Sequence, residues 1–237
     1  MSRIAFLGPP GTFTEEALLT QSDLAGEDLV AQRGMTEVLA AVDAGEADFG
    51  FIPVENAIEG TVNLSVDALV FDFELLIQRE VVLAVQLNLL APPGAALADV
   101  ERVVSIPHAT AQCRGWFAEH LPGVELDAAN STAEAARLVG ETRQPGVAAV
   151  GTALAAKLYG LDILAADIED HPDNSTRFVL VAKHGVPAPT GHDKTSIVCF
   201  QHADRPGSLH AILGQFSARN INLTKLESRP TKRGLGR

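Results

Sequence analysis

The stretch Asn174-Ser175-Thr176-Arg177-Phe178-Val179-Leu180-Val181 predicts a strand that begins with polar side chains and continues as an apolar run. Its start carries a hydroxyl, a guanidinium and an aromatic ring on three consecutive residues. Junctions between loops and strands are where α/β proteins commonly carry reactive groups. The stretch therefore predicts both a strand of the core and a candidate functional site.

Upstream of this stretch, strand-like and helix-like segments alternate, which predicts an α/β fold. The first strand-like run, residues 3–7, ends in a glycine turn, and Thr12 with Glu15 three residues later forms a capping-box pattern. Residues 48–53 predict another strand, which leads into a loop at Glu55. Apolar residues at helical spacing predict a helix between the two strands: Met35, Val38, Leu39 and Val42.

A long β-rich run without a turn, residues 74–90, predicts a crossing into a second lobe. That lobe repeats the alternation, with strands predicted at 103–106 and 147–150 and a second capping box at Ser131 and Glu134. Another helix is predicted from Thr152 to near Gly160. A helix from about His108 is expected to bury one face: Ala109, Cys113, Trp116 and Phe117.

Two lobes joined by two crossings predict a bilobed α/β fold with a cleft at the hinge, a common location for small-ligand sites. The expected architecture is that of type II periplasmic binding proteins, with lobe 1 at about 1–76 and 161–183 and lobe 2 at about 77–160. Residues 184–194 are rich in Gly, Pro and His and predict a linker. Residues 195–237 predict a separate β-α-β unit, with strands at 196–200 and from 221 and an amphipathic helix between them: Leu209, Ile212, Leu213 and Phe216.

Composition excludes several kinds of partner. The 237 residues carry a formal net charge of -12, so no nucleic acid and no anionic membrane is expected to bind, because both require a basic surface. Cys113 and Cys199 provide neither a disulfide framework nor a metal-ligand pattern and are expected to be buried thiols of a cytoplasmic protein. No signal-peptide pattern and no apolar run of membrane-spanning length is found.

Three motifs occur in a fixed order: Gly8-Pro9-Pro10-Gly11-Thr12-Phe13-Thr14, then Pro53-Val54-Glu55-Asn56-Ala57-Ile58-Glu59-Gly60-Thr61-Val62, then the stretch from Asn174 to Phe178. Together they resemble the signature of prephenate dehydratase, over residues 1 to about 183, and residues 195–237 resemble the first half of an ACT regulatory domain. The resemblance implies a carbon–oxygen lyase (hydro-lyase) of L-phenylalanine biosynthesis that converts prephenate into phenylpyruvate. Because aromatisation drives that reaction, the resemblance implies no metal and no organic cofactor.

Three residues are the catalytic candidates. The resemblance aligns Thr176 with the threonine beside the leaving hydroxyl, where it would act as hydrogen-bond donor or proton relay. Glu55 and Asn56 align with the Glu-Asn pair of the family: Glu55 would be the acid if the cleft raises its pKa, and Asn56 would hydrogen bond the hydroxyl or a carboxylate. Structural alternatives are a β-branched strand start for Thr176 and a turn for the pair. Ala57 replaces the serine that is usual in the family.

The first loop and the second lobe supply substrate-binding candidates. Gly11, Thr12 and Thr14 surround a helix N-terminus, whose free N–H groups attract an anion, although capping alone also explains them. This loop lacks the lysine of a P-loop, which excludes nucleotide binding. The resemblance implies that Gln112 faces the substrate. It does not carry His108 over, because the histidine of the family often falls at the position of Ile106.

Three further candidates keep two interpretations each. Ser131 either binds an anion or only caps its helix. Arg177 pairs either with a substrate carboxylate or with Glu55 or another acidic side chain, and the sequence favours neither partner. Phe178 is expected mainly to pack, while its ring edge would also shape a pocket.

Two segments of the C-terminal unit match the phenylalanine-sensing motifs of the family, one in the loop 204–209 and one at 227–230. They supply the candidate effector contacts: Pro206, Gly207, Ser208, Leu209, Glu227, Ser228, Arg229 and Pro230. The family pattern continues beyond Arg237, so weak or no inhibition by phenylalanine is expected. A homodimer through the catalytic part is expected, with a homotetramer as the alternative. The basic residues near the end are expected to be solvated: Arg229, Lys232, Arg233 and Arg237.

Two other functions stay open on the sequence alone. Arogenate dehydratase shares the motifs and acts on a substrate with an amine in place of the keto group. A bilobed binding or sensor protein without catalysis is the alternative from another class. The missing signal-peptide pattern argues against a periplasmic binding protein, and the intact Thr176-Arg177-Phe178 run argues against an inactive enzyme.

Overall fold

The structure, a computed structural model, describes residues 1–200 and 205–231 and divides into two compact units, Met1–Pro187 and Ala188–Arg237. None of the helices in the described ranges has the length and apolar character needed to cross a bilayer. The strands are β1 (Arg3–Leu7), β2 (Asp28–Gln32), β3 (Phe49–Asn56), β4 (Gly60–Thr61), β5 (Leu76–Ala84), β6 (Asn88–Ala91), β7 (Arg102–Ser105), β8 (Glu125–Ala128), β9 (Val147–Gly151), β10 (Asp162–Ala165) and β11 (Ser175–Ala182). The helices are α1 (Phe13–Leu19), α2 (Met35–Asp43), α3 (Asn63–Phe71), α4 (Pro107–Ala111), α5 (Arg114–His120), α6 (Thr132–Thr142), α7 (Ala153–Tyr159) and α8 (Ser208–Ser217).

The first lobe is built on a six-stranded sheet in the order β2-β1-β3-β11-β5, with β4 paired to β3. β1 runs parallel to β2 and β3, whereas β11 is antiparallel to both β3 and β5. Side chains of a strand alternate between the two faces of its sheet. On one face Phe6, Phe51 and Phe178 pack against α1, and on the other Ile52 and Val179 pack against α2 and α3.

The second lobe is built on a five-stranded sheet in the order β10-β6-β9-β7-β8. One apolar cluster joins this sheet to α4 and α5, and another joins it to α6 and α7. The chain passes from the first sheet to the second between β5 and β6 and returns between β10 and β11. The predicted bilobed α/β fold is confirmed. The long strand predicted at 74–90 is divided at 85–87 into β5 and β6, because its two ends pair in different sheets.

Three helices of the unit Met1–Pro187 begin with a capping hydroxyl, as predicted for Thr12 and Ser131, and the helix predicted from Thr152 begins in the same way. Thr12, Ser131 and Thr152 each accept a hydrogen bond from the backbone N–H three residues later, at 3.5, 3.0 and 2.9 Å. Each bond satisfies an N–H group that the helix itself leaves without a partner. Gly160 ends α7 with a φ of 64°, in the left-handed region that favours glycine.

The unit Ala188–Arg237 is described at residues 188–200 and 205–231, and the amphipathic helix predicted there is confirmed as α8. The strands predicted at 196–200 and from 221 are wrong: within the described part of the unit, neither segment is a strand of a sheet. A strand is stable only when its backbone groups pair with a neighbour, and an apolar pattern does not supply that neighbour. Ile197 and Phe200 are accordingly 56% and 62% exposed, and Cys199 between them is exposed, so the expectation of a buried thiol is wrong for Cys199.

The candidate effector contacts lie in two parts of this second unit. Pro206 and Gly207 form the turn before α8, and Ser208 and Leu209 begin the helix. Residues 227–230 lie outside regular secondary structure, where Arg229 contacts Glu227 at 3.4 Å. The predictions that concern Asp204, Lys232, Arg233 and Arg237 lie outside the described residues.

Candidate active site

Thr176 and Asn56 face each other where β11 begins and β3 ends, and their Cα atoms are partners in the ladder. Asn56 Nδ2 donates a hydrogen bond to Thr176 Oγ1 at 2.9 Å. Asn56 Oδ1 in turn accepts from the backbone N–H groups of Ile58 and Glu59 at 2.9 and 3.0 Å. These two backbone donors fix the orientation of the amide, so that its NH₂ group faces the threonine. The hydroxyl of Thr176 thereby accepts from Asn56 and retains its own proton for donation to a ligand.

The next residue of each strand forms a charged pair. Arg177 and Glu55 are also partners in the ladder, and their side chains form an ion pair. The guanidinium reaches Glu80 of β5 as well, at 3.5 Å. The three side chains are 32%, 28% and 30% exposed. Of the two interpretations of Arg177, pairing with acidic side chains of the protein is the arrangement found in the structure.

These two pairs lie on opposite faces of the first sheet, because successive side chains of a strand alternate. In the ladder with β5, Thr176 is opposite Leu83, which packs against the cluster that contains α1. Arg177 is opposite Val82, which is 59% exposed. The structure therefore brings Asn56 to Thr176 and places Glu55 on the other side of the sheet. A role for Glu55 as the acid beside Thr176 finds no support in this geometry.

Gln112 lies between two short helices rather than within one. The helix predicted from His108 breaks, since α4 ends at Ala111 and α5 begins at Arg114. Residues that return from β10 stabilise the break: Asp170 N–H donates to the Gln112 carbonyl at 2.7 Å, and the Asp170 carboxylate accepts from the first N–H groups of α5 at 2.9 and 3.2 Å. Both helix ends therefore find partners, and Gln112 becomes the C-cap of α4.

The side chain of Gln112 joins the two lobes. Its Nε2 donates to Glu59 Oε1 at 3.2 Å, and its Oε1 accepts from Asn174 Nδ2 at 3.0 Å. Asn174 is 2% exposed, and its Oδ1 is buried and accepts no hydrogen bond among the described residues. Asn174 directly precedes β11, and its carbonyl accepts from Val85 N–H at 2.9 Å, which continues the pairing of β11 with β5; the period of two therefore places its side chain on the same face as Thr176. Asn56, Thr176, Glu59, Gln112 and Asn174 thus form one polar group, called the amide cluster below.

Two members of the amide cluster were not among the predicted site residues. The period of two along the strand would have indicated Asn174, because it shares a face with Thr176. Glu59 lies in the loop between β3 and β4, where no periodicity applies. Within the described ranges, two hydrogen bonds bring Glu59 to the site: Asn56 Oδ1 accepts from its backbone N–H, and its carboxylate accepts from Gln112.

The first loop contacts the second lobe through its backbone. Thr152 Oγ1 donates to the Gly11 carbonyl at 2.9 Å, and Tyr159 Oη donates to the Pro10 carbonyl at 2.6 Å. Gly11 has a φ of 91°, and a Cβ at this position would lie 3.2 Å from Ala155. Its N–H donates to the carboxylate of Glu15 at 2.5 Å, so this donor is already occupied. Anion binding by Gly11, Thr12 and the buried Thr14 stays a prediction.

The remaining candidates have local or packing contacts. The capping bond of Ser131 is internal to the start of α6, and its role in anion binding stays a prediction. Phe178 is 1% exposed and stacks on Phe51 with ring centroids 5.4 Å apart, as expected for a packing residue. His108 is exposed on α4. Burial, with smaller effects of the charges of Asp170 and Glu169, raises the pKa of the Cys113 thiol to about 12, so it stays protonated near neutral pH.

The amide cluster lies apart from the open depressions of the second lobe. Two open depressions, of about 230 and 530 Å³, lie elsewhere, at the edge of the second sheet. They are lined by residues of the segments 91–102, 120–125 and 143–147 and include none of the candidate residues. At the amide cluster, side chains of both lobes satisfy one another directly. A ligand that accepts a hydrogen bond from Gln112 Nε2 has to displace the carboxylate of Glu59.

Comparisons with known proteins agree over both units. The family model described as Prephenate dehydratase matches residues 4–186, and the ACT domain model matches residues 195–237. A prephenate dehydratase of Mycolicibacterium vanbaalenii is 45% identical over 250 residues, which span 100% of this chain and 79% of that protein.

Two solved structures are similar over nearly the whole chain. Prephenate dehydratase of Arthrobacter aurescens, in complex with L-Phe, has a TM-score of 0.91 at 42% identity and covers 97% of this chain and 76% of its own. GqqA, described as a novel type of quorum quenching acylase, has a TM-score of 0.81 at 30% identity and covers 98% of this chain and 83% of its own.

Proposed function

The chain belongs to the prephenate dehydratase family, and we propose on this premise that it converts prephenate into phenylpyruvate, carbon dioxide and water. The bond between the ring and its carboxylate breaks, the electron pair completes the aromatic ring, and the ring hydroxyl leaves and takes up one proton. Aromatisation drives the reaction, so the protein has to orient the substrate and assist the leaving hydroxyl. The hydrogen bond from Asn56 to Thr176 is the observation that supports this function most directly.

Thr176 is the residue proposed to assist the leaving oxygen. Since its Oγ1 accepts from Asn56, its O–H is the donor that remains for the substrate. A hydrogen bond that strengthens as negative charge develops on the departing oxygen lowers the barrier of the step. A threonine hydroxyl is not itself an acid, so the proton that completes the water comes from solvent.

The amide and hydroxyl groups of the amide cluster are neutral donors for a substrate that carries two carboxylates. A cation held against the carboxylate that is lost would stabilise the ground state and oppose the loss of its charge. Arg177 is engaged by Glu55 and Glu80 on the other face of the sheet. We therefore propose that Gln112 hydrogen bonds a substrate carboxylate, while Arg177 joins β3, β5 and β11.

The wider assignment follows from family membership. We propose a hydro-lyase of L-phenylalanine biosynthesis in the cytoplasm, with a catalytic part at 1–183, a linker at 184–194 and part of an ACT regulatory domain at 195–237. Because the Arthrobacter aurescens relative is in complex with L-Phe, we propose L-phenylalanine as an effector, with contacts from residues 206–209 and 227–230. A homodimer is the proposed assembly.

The test is phenylpyruvate formation by the full chain and two variants of Thr176. Thr176→Ala is expected to lower kcat about 100- to 1,000-fold, the usual effect of removing one such donor, with a much smaller change in KM. Thr176→Ser keeps the hydroxyl and is expected to retain most of the activity. Thr142→Ala, which removes an exposed hydroxyl at the end of α6, is the matched control.

Two outcomes would support other functions. Turnover of arogenate with a higher kcat/KM than that of prephenate would indicate an arogenate dehydratase. Binding of prephenate in calorimetry without any turnover would indicate a binding or sensor protein. An active Thr176→Ala variant would keep the enzyme and remove Thr176 from the chemistry.

A further inference from the structure

The amide cluster contains a carboxylate of the protein itself. Glu59 lies at the exposed rim of the cluster, in the loop between β3 and β4, and its backbone N–H is bound by Asn56 Oδ1. Its side chain crosses to the second lobe and accepts from Gln112 Nε2 at 3.2 Å. An acidic group of the protein thus occupies a donor at the place where the anionic substrate is proposed to bind.

The donor that Glu59 occupies has a fixed direction. Gln112 is largely buried, and its Oε1 accepts from Asn174, which is 2% exposed. Because Asn174 fixes the amide oxygen, Nε2 is held toward Glu59 and cannot turn to another partner without breaking the buried bond. A substrate carboxylate that reaches Gln112 has to take the position of the Glu59 carboxylate.

We propose that Glu59 acts as an internal competitor, a carboxylate that holds Gln112 until a substrate carboxylate replaces it. This inference rests on the proposed function and adds a residue that sets substrate affinity. Replacement exchanges one carboxylate for another at the same donor, and the displaced Glu59 side chain is already at the solvent rim, so its release into water carries little cost. Its negative charge also opposes a dianionic ligand more strongly than a monoanion.

The experiment measures KM and kcat for prephenate in Glu59→Ala and in the wild type, both as full chains. Removal of the competitor is expected to lower KM about two- to fivefold, the range for a partly exposed charged contact, with kcat nearly unchanged. Glu59→Gln keeps a neutral acceptor for Gln112 and is expected to give a smaller decrease in KM. Glu46→Ala removes the same charge from the exposed turn after α2 and is the matched control.

A gain in affinity distinguishes this role from a structural one, because damage to the site would raise KM. A KM that stays the same or rises in Glu59→Ala would overturn the inference, and so would a collapse of kcat, which would place Glu59 in the chemistry. A wild type without turnover would contradict the proposed function, and the inference with it, before any variant of Glu59 is compared.

Discussion

Two residue pairs at the same end of the first sheet differ in charge, partners and surroundings. Thr176 and Asn56 share one neutral hydrogen bond and belong to the amide cluster between the lobes. Arg177 and Glu55 form an ion pair that extends to Glu80, on the opposite face. The pairs are one residue apart on each strand. The register of the ladder and the alternation of its side chains, rather than closeness in sequence, decide which residues share a site.

The contacts of the two pairs predict different roles. An ion pair whose side chains are about 30% exposed contributes up to about 1 kcal/mol to stability and holds three strands together. The neutral pair contributes a comparable amount, about 1 kcal/mol, and it also directs the hydroxyl proton of Thr176 away from Asn56. Substitutions on the Arg177 face are therefore expected to change stability, and those of Thr176 and Asn56 to change the rate.

Phe178 lies on the same face of the sheet as Thr176, inside the core. Its replacement by alanine is expected to cause the largest loss of stability. Phe178→Ala removes a ring that is 1% exposed and stacks on Phe51, and it is expected to lower the free energy of unfolding by about 3–5 kcal/mol. Urea unfolding measures this loss, with Phe178→Leu as the milder control. A variant that unfolds like the wild type but has a raised KM would show that the ring contacts the substrate instead.

Asn56→Asp tests the direction of the hydrogen bond to Thr176. One carboxylate oxygen can still accept from the backbone of Ile58 and Glu59, whereas the other would accept from the Thr176 hydroxyl and take the proton that the substrate needs. We expect kcat to fall about 100-fold while the urea midpoint changes little. Activity at the wild-type level would mean that the orientation of this hydroxyl does not matter for the reaction.

Arg177→Gln tests the opposite face. The substitution removes the cation that Glu55 and Glu80 share. It is expected to lower the free energy of unfolding by about 1 kcal/mol, which corresponds to a decrease of about 2–4 °C in Tm. The rate should change little. Arg79→Gln, which breaks an exposed ion pair with Asp23, is the matched control and should cost less. A large increase in KM, with Tm unchanged, would restore Arg177 as a ligand of a substrate carboxylate.

Much of the fold could be predicted from local patterns. The capping hydroxyls at Thr12, Ser131 and Thr152 each act within one helical turn, so the sequence around them contains the whole interaction. The break at Gln112 could not be predicted, because Asp170, which stabilises it, is distant in sequence. The strands expected at 196–200 and from 221 require a partner strand, which no local pattern reveals.

The candidate site was predictable as a set of segments but not as an arrangement. The motifs indicate the end of β3, the beginning of β11 and the region of Gln112. These three segments meet in the amide cluster. The exclusion of Glu55 from this cluster depends on the register of β3 against β11, including an irregularity beside Arg177. A one-residue change in register exchanges the two faces of the sheet, so the motif alone could not show on which face Glu55 lies.

The central claim is that Thr176 assists the reaction on one face of the first sheet while Glu55 lies on the other. Its most direct test is the turnover of prephenate by Glu55→Gln and by Thr176→Ala. Because Glu55 lies on the other face, its substitution by a neutral isostere is expected to keep kcat within about fivefold of the wild type. Thr176→Ala is expected to lose about 100- to 1,000-fold. An equal collapse of kcat in both variants would contradict the account and identify Glu55 as the acid of the reaction.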